Sequence, residues 1–275
     1  MSRVFSLAQH TTPLWTPPEM IYNAFHLGYD TVAVRSIRQG VAGEVAFDFV
    51  KDRQLFKATK EAIRETGIGI HDVDLVAIYS DTDIGRYEPE LGAAAELGCK
   101  GVVSSVWTED REHYTAQFKA LCDLASGFGL EVYLEFVTWS DLKDLRAAHK
   151  LVEETGLPNA KILLDTIHWY RSRNTLQDIE DCPMESFGLI HICDAPEAIP
   201  STQEELIVSG RTQRFYPGDG GVDIAGVVRR IDENIVIGIE IPNKDSVEKY
   251  GAFEHAHRCL SATKRYLGEA GIVVA

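Results

Sequence analysis

Apolar residues in this chain fall into two patterns, short continuous runs and longer stretches in which they recur every third or fourth position, with a glycine at most junctions. The runs predict strands buried on both faces, and the spaced pattern predicts amphipathic helices. In chain order, helix 19–27 ends at Gly28 before strand 31–34, and helix 55–66 ends at Gly67 before strand 68–73. Helix 90–97 leads through Gly98 to strand 101–106, helix 113–126 through Gly129 to strand 130–136, and helix 141–155 through Gly156 to strand 162–165. A glycine just past a helix takes the left-handed backbone of a C-cap without steric cost. Strands at 5–9, 187–193 and 235–241 bring the count to eight. The glycines recur at roughly thirty-residue intervals, the length of one βαβ repeat. Eight strands alternating with helices predict an α/β fold, a (β/α)8 TIM barrel formed by a single domain over residues 1–275. A doubly wound sheet would call for a phosphate-binding fingerprint that the sequence lacks.

Two segments stand apart from this rhythm. Residues 194–223 are polar, rich in proline and glycine, and too long for an ordinary connection, which suits a binding loop on the functional rim. Residues 246–267 predict a closing helix with Phe253, Ala256, Leu260 and Leu267 on one side.

Four of the apolar runs carry a metal-competent side chain at or near their carboxyl end. They read Glu-Val-Tyr-Leu-Glu135-Phe, Lys-Ile-Leu-Leu-Asp165-Thr, Gly-Leu-Ile-His191-Ile and Val-Ile-Gly-Ile-Glu240-Ile. Such groups are expensive to bury unless paired, hydrogen-bonded or bound to a cation. On strands five to eight of a barrel they would surround one half of the mouth where barrel active sites lie. Three carboxylates and an imidazole suit one divalent metal ion, Mn2+, Mg2+ or Co2+, with Zn2+ also within reach. His10 after the first strand, His71 in the third and Trp107 after the fourth are expected at the same mouth as substrate-binding walls.

A formal net charge of −15 argues against a surface that neutralises nucleic acid or anionic membrane. Five scattered cysteines without a Cys-x-x-Cys pair suit a reducing cytoplasm, and neither a signal peptide nor a membrane-spanning run is apparent.

The residues Glu135, Asp165-Thr-Ile-His168, His191-Ile-Cys-Asp194 and Glu240 give the chain a resemblance to the xylose isomerase-like TIM barrels. That group includes sugar isomerases, ketose 3-epimerases, inosose isomerases and dehydratases, and 3-dehydroshikimate dehydratases. The resemblance implies that Glu135, Asp165, His191 and Glu240 are the metal ligands and that His168 contacts the substrate. It further implies that Glu135 and Glu240 take and return a proton from opposite faces. Arg211, Arg214 and the run from Pro217 to Asp223 resemble the family's Arg-x-x-Pro-Gly-x-Gly segment, and Arg214 is favoured as a substrate contact. One departure is specific: ketose 3-epimerases commonly carry an arginine six residues after the strand-seven histidine, where this chain has Glu197.

The expected function is a divalent-metal-dependent isomerase or epimerase of a sugar, keto-polyol or related hydroxyketone, working through a metal-stabilised enediolate. A lyase that dehydrates an inosose-like or dehydroshikimate-like substrate, or cleaves a 3-keto-glycoside, is the alternative. An abasic-site endonuclease is disfavoured by the acidic balance, and a barrel that binds sugar without turnover is a fourth reading. Barrels of this group frequently associate, so a homo-oligomer is also expected.

Overall fold

The structure, a computed structural model, describes residues 3–38, 45 and 47–274. Its elements run β1 (Phe5–Ala8), α1 (Pro17–Leu27), β2 (Thr31–Arg35), α2 (Arg53–Thr66), β3 (Gly69–Ile78), α3 (Glu88–Glu96), β4 (Gly101–Val106), α4 (Arg111–Ser126) and β5 (Glu131–Glu135). They continue as α5 (Leu145–Thr155), β6 (Ala160–Asp165), α6 (Thr166–Arg171), α7 (Leu176–Glu180), β7 (Phe187–Ile192), α8 (Gln203–Thr212), α9 (Ile224–Arg229), β8 (Val236–Ile239), α10 (Lys244–Tyr250) and α11 (Ala252–Glu269). The eight strands pair in sequence order, all parallel, and β8 closes on β1, giving the (β/α)8 barrel that the alternation predicts. None of the described helices is long and apolar enough to cross a membrane.

Local chemistry sets the element ends. Asp52, Asp110 and Asp144 cap α2, α4 and α5 by accepting backbone N–H bonds from the first turn. Gly28 and Gly156 close α1 and α5 with φ of 81° and 65°, a backbone that a side chain would strain.

Two apolar layers follow from the period-two geometry of the strands. The outer one joins the sheet to the helices. The inner one is small: Val103, Tyr133, Leu163 and Leu189, from four consecutive strands, pack inside the barrel. Tyr133 dominates it and needs room on either side. A Cβ at Gly101 would lie 2.4 Å from its ring, and one at Gly188 would lie 2.7 Å away.

Several boundaries differ from those the sequence predicts. β3 does not stop at 73 but continues to Ile78. Its pairing with β2 passes from Val32–Ile70 to Ala33–Asp72, so His71 is an extra residue in a bulge. His71 therefore lies near the amino end of β3, where its ring stacks on Tyr133 at 5.7 Å and its Nδ1 meets Asp72 at 2.8 Å. The expectation that His71 faces the mouth is corrected. The predicted closing helix is two helices, broken at Gly251 with φ of 81°. Ala256, Leu260 and Leu267 are buried, but Phe253, beside the break, is 46% exposed. The long polar connection contains a helix, α8, started by a reciprocal Thr202–Glu205 capping box.

Candidate metal centre

The inner layer explains why four chemistry-bearing side chains meet. Tyr133, Leu163 and Leu189 point inward, and Glu135, Asp165 and His191 follow each by two residues, so they point inward one step nearer the carboxyl ends. Glu240 follows β8 directly. One donor atom from each of Glu135, Asp165, His191 and Glu240 lies within 4.8 Å of the other three. His191 pairs with Asp165 on one side and Gly238 on the other. A Cβ at Gly238 would come 2.4 Å from the His191 ring, so the glycine makes room for the imidazole.

The donor set fits a divalent ion on one further observation. His191 is 5% exposed, and neither of its ring nitrogens has a hydrogen-bond partner among the described residues. A buried imidazole left so, facing three carboxylates, is a costly arrangement that a cation would satisfy.

Arg214 is the principal charge beside this cluster. It is 4% exposed, and one guanidinium nitrogen lies 2.6 Å from Asp165 and 2.9 Å from Glu240. Its Nε donates to the Gly210 carbonyl. The segment that carries it is held by Asp194, whose backbone forms a two-bond bridge with Phe215. The Asp194 carboxylate accepts the N–H groups of Ala195, Gly218, Gly220 and Val222. The aspartate of the His191-Ile-Cys-Asp194 string thus anchors the glycine-rich loop.

These charges divide the two glutamates. Burial works against ionisation of Glu240, but Arg214, His10 and His191 outweigh it and hold the carboxyl well below its usual range. Burial pushes Glu135 well above that range, and the carboxylates of Glu240 and Asp165 add to the shift. His10, with Nδ1 3.5 Å from Glu240, lines the mouth, and burial and Arg35 lower its pKa.

His168 sits in the first turns of α6, which begins where β6 ends because Asp165 caps it through the N–H of Ile167. The backbone N–H of Thr138 donates to His168 Nδ1 at 3.3 Å, and the Thr138 hydroxyl lies 3.0 Å from the same nitrogen. A backbone amide can only donate, so Nδ1 is the acceptor and Nε2 carries the proton. Burial lowers the His168 pKa to about 4, which makes it a neutral donor at physiological pH.

Of the residues expected at the mouth, His10, Trp107, Glu135, His168, His191, Arg214 and Glu240 line one chamber, and Asp165 lies behind it, bonded to Arg214; His71 is elsewhere. The same chamber holds Arg35, Asp74 and Trp139, which the sequence reading passed over. Arg35 ends the run Thr-Val-Ala-Val-Arg35 as the other four end theirs, but a guanidinium is not a metal donor and so falls outside the pattern that singled them out. Asp74, 3.4 Å from Arg35, was hidden by the unforeseen length of β3. Trp139 lies in a loop without periodicity, edge-on to His168 at 4.8 Å. Glu197 is exposed and outside the chamber.

A family model of the xylose isomerase-like TIM barrel matches residues 21–263. No curated protein matches the chain in sequence. Among solved structures, an IolI protein with a bound zinc atom superposes with a TM-score of 0.81 at 17% identity, covering 97% of this chain and 99% of that one. The 3-keto-D-glucoside 4-epimerase YcjR from E. coli gives 0.67 at 18% identity, covering 94% and 99%. The probable 3-DHS dehydratase AsbF from Bacillus anthracis gives 0.74 at 14% identity, covering 95% and 98%. At such identities the likeness is one of fold.

Proposed function

The chain belongs to the xylose isomerase-like TIM barrel family, and on that footing we propose that it is a divalent-metal-dependent isomerase or epimerase of a hydroxyketone, a sugar or keto-polyol. The observation that carries this reading is the convergence of Glu135, Asp165, His191 and Glu240 within 4.8 Å, around an imidazole with no hydrogen-bond partner among the described residues. Mn2+, Mg2+ and Co2+ suit the oxygen-rich donor set, and the zinc bound by the IolI protein of the same fold keeps Zn2+ in the set. Bound there, the ion supplies Lewis acidity that makes the C–H bond beside a carbonyl easier to ionise.

The residues divide the remaining work. Glu240, kept ionised by Arg214, is ready to accept a proton from substrate carbon. Glu135, the other carboxylate of the pair at the site, is the group placed to return the proton. The Nε2–H of His168 is available to donate to a substrate oxygen. The exposed Glu197, where ketose 3-epimerases commonly carry arginine, speaks against a free-ketose 3-epimerase.

The test is incubation of the metal-loaded protein in D2O with free ketoses, keto-inositols and 3-keto-glucosides. Deuterium entering beside the carbonyl, together with an isomeric product, is expected, and Glu135→Gln should abolish product formation. Loss of water with an enone chromophore would assign a lyase instead. Absence of exchange with every member of the panel would defeat both.

A further inference from the structure

The chamber beside the four ligands is small, about 80 Å³, but it opens onto an outer cavity of about 660 Å³. The outer space alone has the volume of a pocket for a drug-sized molecule. His10, Arg35, Leu75, Trp107 and Arg211 line both, so the two are continuous. Their chemistry differs. Against the charged inner chamber, the outer wall is built largely from Leu14, Trp15, Tyr79, Pro242 and Val247. Leu14 is 77% exposed, and Tyr79 and Val45, also on this wall, are exposed as well. Exposed apolar side chains gathered on one concave wall mark a place where apolar surface is to be covered.

The boundary between the spaces is aromatic and held in place. The Trp107 indole N–H donates to Ser105 Oγ at 2.8 Å, and the Tyr79 ring stacks on the indole at 6.5 Å and 27°. Thr11, Thr12, Thr212, Asn243, Lys244 and Glu248 offer a sugar or inositol hydrogen-bond partners at points of the outer cavity, but most of the surface it presents is apolar. An aromatic ring would find a stacking wall and an apolar floor.

From this we infer that the substrate is a hydroxyketone carrying an aromatic group, an aglycone that fills the outer cavity while the carbonyl end enters the inner chamber. The inference rests on the inner chamber being the reaction centre, and it narrows the substrate class of that site. Arg211, on both walls, stands where the two parts of such a molecule join.

Binding tests this without turnover. The probes are methyl, phenyl and naphthyl β-D-glucosides, titrated by calorimetry into the zinc-loaded protein. Affinity should rise along that series, with naphthyl about tenfold or more tighter than methyl, as expected for the apolar area buried. Val247→Asp, which puts a charge in the wall, should collapse the difference while the metal content stays that of the parent. Leu14→Asp, at a side chain 77% exposed and so harmless to folding, should narrow it too. Equal affinities, no binding of the naphthyl glucoside, or a gap unchanged in both variants would each overturn the inference. So would a dimer that Val247→Asp splits while the glucosides bind alike, which would give this wall to a second copy of the chain. A protein that shows the gap but exchanges no hydroxyketone proton would keep the aromatic subsite and lose the isomerase reading.

Discussion

The imidazole of His191 occupies the volume that a side chain at Gly238 would need; a Cβ there would lie 2.4 Å from the ring carbon Cδ2 and 2.9 Å from Nε2. Gly238→Ala should therefore displace the ring from the other three donors. We expect metal affinity to fall by about 10- to 100-fold, the range seen when the support of a ligand is disturbed. Equilibrium dialysis with elemental analysis reads the loss, and unchanged affinity would mean that His191 is not a ligand.

Arg214 and a metal ion should substitute for one another in neutralising Asp165 and Glu240. In Arg214→Met the buried carboxylates of the metal-free protein lose their cation, at a cost of about 3 to 5 kcal/mol. A bound divalent ion restores positive charge and stabilises the native state by its binding. The melting temperature of the variant should fall well below that of the parent without metal and recover most of the difference at saturating Mn2+ or Zn2+. Equal losses with and without metal would contradict this.

The raised pKa of Glu135 couples metal binding to pH. The carboxyl is protonated in the metal-free protein at pH values where an ordinary glutamate is ionised, and it must lose that proton to become a ligand. Metal affinity should rise with pH, with proton release visible as a dependence of binding heat on the buffer's ionisation enthalpy; Glu135→Gln should remove this release. For folding the sign is opposite. A group whose pKa is raised in the native state favours folding below its unfolded value and loses that contribution as pH rises through the native one. The metal-free protein should lose stability on this account as pH climbs above the ordinary carboxylate range, and less so when loaded.

Thr138 fixes the tautomer of His168. Nitrogen chemical shifts at neutral pH should show a neutral ring protonated at Nε2, with no titration until pH falls toward about 4. Thr138→Val removes the hydroxyl and keeps the backbone donor, so turnover should drop about fivefold, the worth of one hydrogen bond, with metal content unchanged. Titration of His168 near an ordinary imidazole value would refute the assignment.

How much of this was legible depends on the surroundings of each residue. Glu135, Asp165, His191 and Glu240 could be read because each interrupts or ends an apolar run, where a charge needs a reason. Arg35 also ends an apolar run, but a pattern of metal donors passes over a guanidinium. His71 was misplaced because a bulge adds a residue to β3 and carries the strand on to Ile78, so the mouth receives Asp74 instead. Trp139 was invisible for another cause: its position follows from a tertiary contact with Gly210, where a Cβ would lie 2.5 Å from the indole. Periodicity carries no information about such contacts. α8 did carry a readable start, the Thr202–Glu205 capping box, inside a segment otherwise without apolar rhythm.

Asp165 ends β6 and caps α6 with the same carboxylate, leaving no loop between a proposed metal ligand and the helix that bears His168. Ligand and hydrogen-bond donor therefore form one rigid piece. Retuning the metal preference by exchanging Asp165 would also unseat the first turn of α6 and re-aim His168. Among the four proposed ligands, Glu135 and Glu240 are also the proposed proton carriers and Asp165 also holds a helix, which leaves His191 as the position where a change of ion would disturb least else.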